Sequence, residues 1–390
     1  MSERVARVEV FSLTVPRDTP YLGALREGET VNERGYLVRR GNRTVYPTVD
    51  RSVLVRIESA SGAVGWGETY GIVAPGATMA IIDDLLAPFV VGRDPHDVSV
   101  IHDDLYDLMR VRGYTGGFYL DALAAVDIAL WDLAGRISNL PVVKLLGGQR
   151  HARIPAYISG LPKPTLPERA AMAAEWQARG FDRFKFAAPV ADDGVVAEIA
   201  ALRQALGPQA GIACDMHWAH SAEQAIALIH AMQPHGLWFA EAPVRPEDID
   251  GLARVAAQVS TTVAAGEEWR TVFDVVPRVA RRACGIIQPE MGHTGITEFM
   301  RMGHYATAHH LRIMPHATIG VGIFMAASLQ ASAALAAVEY HEYQHSVFEP
   351  NRRLVEGDMD CRSGVYTLPS GPGLGVTPSA ETLALLQPIR

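Results

Sequence analysis

The sequence predicts an α/β protein built on a (β/α) TIM-type barrel, with an α+β region ahead of it and a short segment behind it. Three observations predict this. From about residue 149, short apolar runs alternate with amphipathic stretches eight times over about 200 residues, the pattern of a parallel sheet closed into a barrel. The N-terminal part instead shows alternating strand-like runs and then turns helical. Three acids, Asp215, Glu241 and Glu267, are spaced 26 residues apart, the length of one strand-helix unit.

Each element follows in order. "VARVEVFSLTV" alternates as a strand, and "SVLVRIESASGAVGWGET" reads as two strands joined at Ser61–Gly62. Between them a polar segment, residues 17–48, holds Arg17, Arg26, Arg34, Arg39, Arg40 and Arg43 with Tyr21, Tyr36 and Tyr46. A connection of that length is functional or disordered. "TMAIIDDLLAPFVV", "SVIHDDLYDLM" and "YLDALAAVDIALWDLAGRISN" carry helical spacing, the last ending near Gly135 or Pro141. These elements assign residues 1–148 to an N-terminal domain.

The barrel occupies residues 149–345. Its strands are expected in "RIPAYIS", "FDRFKFA", "AGIACDMH", "LWFAEAP", "TTVAAGEE", "CGIIQPE", "LRIMPHA" and "VEYHEYQ", with helices between. The tail, residues 346–390, is rich in Pro and Gly and is expected to pack back on the N-terminal domain.

Composition narrows the function classes. Apolar residues make up 48% and charged residues 20%, which is globular rather than disordered. With a net charge of −8 and no basic patch, neither nucleic acid nor an anionic membrane is an expected partner. Cys214, Cys284 and Cys361 are far apart and form no CxxC pair, which argues against a disulfide framework and suits a reducing cytoplasm. No signal peptide or membrane span is legible, so a cytoplasmic location is expected.

The chemistry lies in the acids. A single carboxylate at a strand end is usually a helix cap or a surface ion pair. Three on successive strands, at the C-terminal mouth where barrel enzymes keep their chemistry, would repel one another unless a cation sat among them. Oxygen ligands indicate a hard ion, Mg²⁺ before Mn²⁺. In "ACDMHWAH", His217 follows Asp215 by two residues, so strand alternation puts both on one face. His316 ends the seventh strand, across the mouth from the third, so two imidazoles are expected to flank a metal-bound ligand. Glu290, ending strand six, is placed to orient His316. Glu342 ends strand eight and is placed to meet a ligand oxygen. Lys185 is the cation in the second strand's inward register and could balance the acids.

These residues, in this order, resemble the enolase superfamily. "GWGET", "DIALWDLAGR", "LPVVKLLGG", "FAEAP", "AAGE" and "IIQP" are similar to segments of its mandelate racemase-like members. "FKFAAP", "DMHWAH", "QPEMGHTGITE" and "PHATIGVG" look like the galactonate dehydratase-type subgroup of sugar acid dehydratases. The resemblance implies an N-terminal α+β capping domain, a modified (β/α) barrel and a C-terminal return to the cap. It implies one Mg²⁺ per subunit held by Asp215, Glu241 and Glu267, a homo-oligomer, and a small sugar acid as substrate. Many members carry a second lysine two residues after Lys185; here that position is Ala187. His217 would then take the α-proton and His316 would protonate the departing β-hydroxyl, giving a 2-keto-3-deoxy acid through an enediolate. The partner of the seventh-strand histidine is usually Asp, and here it is Glu290.

Alternatives remain at this level. The loop arginines would suit a diacid (aldarate) as well as an aldonate. Two imidazoles facing one carbon would also run a racemase or epimerase. A zinc barrel hydrolase would need His-x-His on the first strand, which "RIPAYISG" lacks. A binder without turnover would have little use for both histidines.

Overall fold

The computed structural model describes residues 3–317 and 320–389; Thr318 and Ile319 of the "PHATIG" motif lie outside them. Val5–Val15, Asp50–Ser59 and Val64–Tyr70 form an antiparallel sheet, and the terminal strand Gln387–Pro388 adds to its edge beside Val5–Val15. The end of the chain thus returns to its beginning. The segment 17–48 is ordered: it carries a small hairpin, Tyr36–Val38 with Val45–Pro47. Arg39 ties it together from inside, bonded to Glu29 and to the carbonyls of Tyr21, Gly23 and Ala24.

A long helix, Gly117–Ser138, lies between this sheet and the barrel and is buried along most of its length. It gets close because the sheet facing it carries no side chains there. A Cβ on Gly65 would lie 2.3 Å from Ala129 O, and one on Gly67 still nearer Ala125 O. The helix ends on Asn139 in the left-handed conformation (φ 52°) two residues before Pro141, a capped stop. Gly135 does not end it. That glycine sits inside the helix because a Cβ there would lie 2.6 Å from the backbone of Gly373.

Eight parallel strands form the barrel: Arg153–Ser159, Arg183–Ala187, Gly211–Asp215, Leu237–Glu241, Thr262–Ala265, Ile286–Ile287, Arg312–Ile313 and His341–Tyr343. From the first to the seventh each pairs with the next, and the eighth pairs with the first. The seventh and eighth are joined beside their ladders, by the Ile313–Val338 bridge and by the Glu342 N–H donating to the Pro315 carbonyl at 3.2 Å. Among the described residues, seven helices of 9 to 18 residues separate the strands, and the short helix His345–Asn351 comes directly after the eighth. In its place, Val365–Thr367 pairs antiparallel with the first strand. The sixth and seventh strands are shorter than their apolar runs because Pro289 and Pro315, which have no N–H to give the ladder, follow within two residues.

Alternation within the strands builds two surfaces. Ala156, Ile158, Ile212, Cys214, Ala240, Val263 and Ile287 face outward into the large core shared with the helices. The opposite parity fills the barrel with a separate apolar cluster: Tyr157, Ala213, Phe239, Ala264, Ile286 and Met314. Among the described residues, no helix is long and apolar enough to cross a membrane.

Candidate active site

Two residues past that apolar tier, toward the C-terminal ends of the strands, the same parity turns polar. Tyr157 gives way to Ser159, Ala213 to Asp215, Phe239 to Glu241, Ile286 to Gln288, Met314 to His316 and Tyr340 to Glu342. Lys185 on the second strand is level with Ala213. Most of these side chains are buried. A buried polar tier over an apolar plug is the floor of a site.

The acids are not equivalent in register, although their spacing is equal. Asp215 pairs directly with Glu241, whereas Glu241 pairs with Ala264, three residues before Glu267. The fifth strand stops at Ala265, and Gly266 (φ 128°) turns the chain so that Glu267 joins from a loop. Only glycine takes that turn without strain.

Lys185 anchors one side. Its Nζ lies 2.8 Å from both oxygens of Glu241 and 3.0 Å from Glu342 Oε1. Burial alone would lower its pKa, but Glu241 and Glu342 hold it well above the usual lysine value, so it is a fixed cation. Gln288 Nε2 donates to Glu241 Oε2 at 2.8 Å. Glu342 is held on both oxygens: besides Lys185 on Oε1, its Oε2 accepts the Ala317 N–H at 3.1 Å. It therefore fixes the loop after His316.

His217 reaches Asp215 by another route than strand alternation. The strand ends at Asp215, and His217 and Trp218 are both left-handed, φ 49° and 53°. This turn folds the imidazole back, with Nε2 2.8 Å from Asp215 Oδ2, while the His217 N–H donates to Oδ1 at 2.9 Å. Burial pushes the Asp215 carboxyl up, but the His217 contacts outweigh it and bring it down to about 2. The other ring nitrogen, Nδ1, lies 3.2 Å from Asn42 Nδ2, which also donates to the Tyr46 hydroxyl at 2.9 Å. Asn42 and Tyr46 come from the 17–48 segment. Tyr46 carried a weak signal as one of the tyrosines of that segment, and Gln288 only as a letter of "IIQP" and "QPEMGHTGITE"; Asn42 carried none.

On the far side, His316 Nδ1 is 2.8 Å from Glu290 Oε2, and Glu290 Oε1 accepts the Gly292 N–H. The longer arm of glutamate is thus accommodated by a bridge between the two residues' backbones. His316 Nε2 turns to the mouth, 3.3 Å from Glu267 Oε2 and 3.7 Å from Glu342 Oε2. Burial opposes a charge on this ring, yet Glu267, Glu342 and Glu290 together raise its pKa well above the usual value. Tyr70 of the N-terminal sheet stacks on His293 at 4.3 Å, and His293 Nδ1 and Arg270 both hold Asp121. That cluster closes the back of the Glu290 side.

Two of the three evenly spaced acids, Glu241 and Glu267, come together with His316, while Asp215 stands outside that group. Ligand atoms of Glu241, Glu267 and His316 lie within 4.8 Å of one another. Glu267 Oε2 is buried, and its contact with His316 lacks hydrogen-bond geometry, so this oxygen is unsatisfied. Burial drives the Glu267 carboxyl well above the usual range, with Asp215 and Glu241 adding to this against the pull of His316. A buried, unsatisfied acid among acids is what a divalent ion relieves. Asp215 lies on the strand beside Glu241, its carboxylate engaged by His217.

Comparison with known proteins agrees with this architecture. Residues 42–147 match the mandelate racemase / muconate lactonizing enzyme N-terminal domain, and residues 168–382 match the enolase C-terminal domain-like family. A Sinorhizobium meliloti protein provisionally named an isomerase is 72% identical, with a TM-score of 0.98 over 99% of this chain and 100% of that one. D-galactarolactone cycloisomerase of Agrobacterium fabrum is 32% identical over 346 residues, 85% of this chain and 90% of its own. D-galactonate dehydratase of Ralstonia nicotianae is 31% identical over 358 residues, with the same coverage. With a cap of one kind and a barrel of the other joined in a single chain, this protein belongs to the enolase superfamily, in its mandelate racemase / muconate lactonizing enzyme branch.

Proposed function

We propose that this protein is a Mg²⁺-dependent sugar acid dehydratase acting on an aldonate of galactonate type. The observation that carries the reading is the pair of carboxylate-held imidazoles at the ends of the third and seventh strands, on opposite sides of the acids.

Asp215, Glu241 and Glu267 are the residues that would hold the ion, with Lys185 and Gln288 fixing the Glu241 carboxylate. A bound Mg²⁺ supplies Lewis-acid stabilisation of the charge that builds on a substrate carboxylate when its α-proton leaves. His217 takes that proton. His316, held in one orientation by Glu290, delivers a proton from Nε2 to the departing β-hydroxyl, which leaves as water. The resulting enol tautomerises to the 2-keto-3-deoxy acid. A positioned acid or base contributes about 10²–10⁴-fold each. Lys185 is already committed to two carboxylates, so it acts as a counter-charge rather than a base.

Aldonate is favoured over a diacid because the two arginines of the 17–48 segment whose side chains are largely buried already have carboxylate partners, Arg17 with Asp50 and Arg39 with Glu29. A second reading, lactone cycloisomerisation, is favoured by the similarity to D-galactarolactone cycloisomerase. It would use the same α-proton removal with the ring oxygen as leaving group. Incubating the Mg²⁺-loaded enzyme with a panel of aldonic acids, aldaric acids and their lactones decides between them. Keto-acid formation from an aldonate supports the proposal; turnover of lactones alone, or racemisation without keto acid, overturns it.

A further inference from the structure

The opposite end of the barrel carries charge that the proposed reaction does not use. Where the second, third and fourth strands begin, Arg183, Arg203, Gln209, Pro234, His235 and Trp238 line an open cleft of about 410 Å³, within the range of small-molecule sites, about 300–1,000 Å³. The third strand starts beside it at Gly211 and ends at Asp215, so one strand separates the cleft from the acids. Arg203, on the helix Val195–Leu206, spends four of its five N–H groups on carbonyls. Nε donates to His235 at 2.9 Å, Nη1 to Gly207 and Ala210 at 2.7 Å each, and Nη2 to Gly236 at 3.1 Å. Among the described residues no carboxylate pairs with it, and burial lowers its pKa with no charge opposing. The buried Arg39 and Arg169 differ: each holds a glutamate, Glu29 at 2.6 Å and Glu198 at 2.7 Å.

Arg183 brings a second guanidinium to the same loop. Its Nη1 donates to the carbonyl of Gln209, the residue before Ala210, and to that of Asp182. Gly211 makes room for the arm: a Cβ there would lie 2.2 Å from Arg183 Cδ and 3.3 Å from the Trp238 ring, and the guanidinium carbon sits 5.6 Å over that ring. Two like charges drawn to neighbouring carbonyls repel. The acid at hand is Asp182, 3.1 Å from Arg183 Nη1 with its side chain 65% exposed, and an exposed pair of this kind offsets little. We propose that this cleft is a second binding site, for the phosphate monoester of a small metabolite. Its phosphoryl oxygens take the guanidinium N–H groups of Arg203 and Arg183 that the carbonyls leave over, and its organic part lies against Trp238. Guanidinium forks match phosphate geometry, and a dianion answers two cations better than a carboxylate does. The proposal uses no residue of the candidate active site and stands independently of the reaction assigned there.

Titration with inorganic phosphate at constant ionic strength tests this, followed in ¹⁵N-labelled protein by the Trp238 indole signal, which Trp238→Phe identifies. The signal is expected to move saturably, with a dissociation constant of about 1 mM or tighter, and equally with and without Mg²⁺. Glycerol phosphate should bind at least as tightly, while glycerol and acetate leave the signal in place. Arg183→Gln should weaken binding about tenfold or more. Gly211→Ala should also weaken it although no charge is removed, because its methyl group displaces the flexible Arg183 arm. The wild-type titrations decide even where a variant fails to fold. No saturable shift overturns the proposal, as does a response to acetate equal to that to phosphate, or a failure of the ester to bind. A shift that requires Mg²⁺ is binding at the mouth and overturns it too. Unchanged affinity in both folded variants means that the two arginines only tie the loops of the barrel end together, and the proposal fails.

Discussion

In the proposed reaction His217 and His316 have separate tasks, and the division can be read out. His217→Asn should abolish both solvent exchange at the α-carbon and keto-acid formation. His316→Asn should retain exchange while keto-acid formation drops by about 10²–10⁴-fold, because only the leaving hydroxyl loses its acid. Proton NMR in D₂O follows both, and loss of exchange in His316→Asn would contradict the assigned roles. Lys185 gives a second prediction. Lys185→Met leaves Glu241 and Glu342 facing each other without their cation and should cost about 3–5 kcal/mol in the metal-free protein, measured by urea unfolding. Mg²⁺ should narrow that deficit by supplying the missing positive charge; an unchanged midpoint would mean the acids are already neutral. The chemistry-bearing residues at this scale were legible because they recur at a fixed spacing along one barrel. Asn42 was not, because its contact with His217 exists only once a remote loop packs over that ring. The His217–Asp215 contact was anticipated for a different reason than the one that produces it: a left-handed turn rather than strand parity.

At the scale of elements, the segments that carry the family likeness act as joints between cap and barrel. In "GWGET", the glycines admit the long helix, and Glu68 accepts the N–H groups of Val321, Ile323 and Phe324 at the start of the helix Ile323–Ala334. In "DIALWDLAGR", Asp127 holds Thr297, and Asp132 holds Trp66, Leu374 and Arg136. Gly67→Ala would drive a methyl group into the Ala125 carbonyl, so the strand or the helix must move; a loss of at least about 3 kcal/mol in thermal or urea unfolding is expected. Glu68→Ala would strand three backbone donors at the helix start, which should appear as faster hydrogen exchange at Ile323 and Phe324 and a loss of about 3 kcal/mol. Exchange unchanged from the wild type would show that water replaces the carboxylate without cost. The eight strands were legible as apolar runs, but not their lengths: prolines just beyond the sixth and seventh strands, and the turn at Gly266, end the ladders early.

Across the whole molecule, barrel closure brings three distant parts of the chain onto one buried histidine. His341 lies on the eighth strand, which pairs with the first; its Nε2 is 2.7 Å from Ser328 Oγ on the last barrel helix, and its ring meets Tyr366 of the C-terminal segment edge-on at 5.5 Å. Burial lowers its pKa to about 4, with the Glu342 carbonyl and nearby acids only partly opposing this. The folded protein therefore refuses a proton that the unfolded chain accepts at about pH 6.5. Between those values the unfolded state binds more protons, so acidification favours unfolding. The contribution of His341 is complete above about pH 6.5, is lost progressively down to about pH 4, and amounts to about 3 kcal/mol. Below pH 4 both states are protonated and the loss stops. His341→Gln can keep a bond to Ser328 but cannot titrate. Its unfolding free energy, followed by urea titration from pH 7 to pH 4, should fall by about 3 kcal/mol less than that of the wild type over the same window. Parallel curves would mean that His341 takes up its proton inside the closed barrel, and that the seam between the first and eighth strands is open to water.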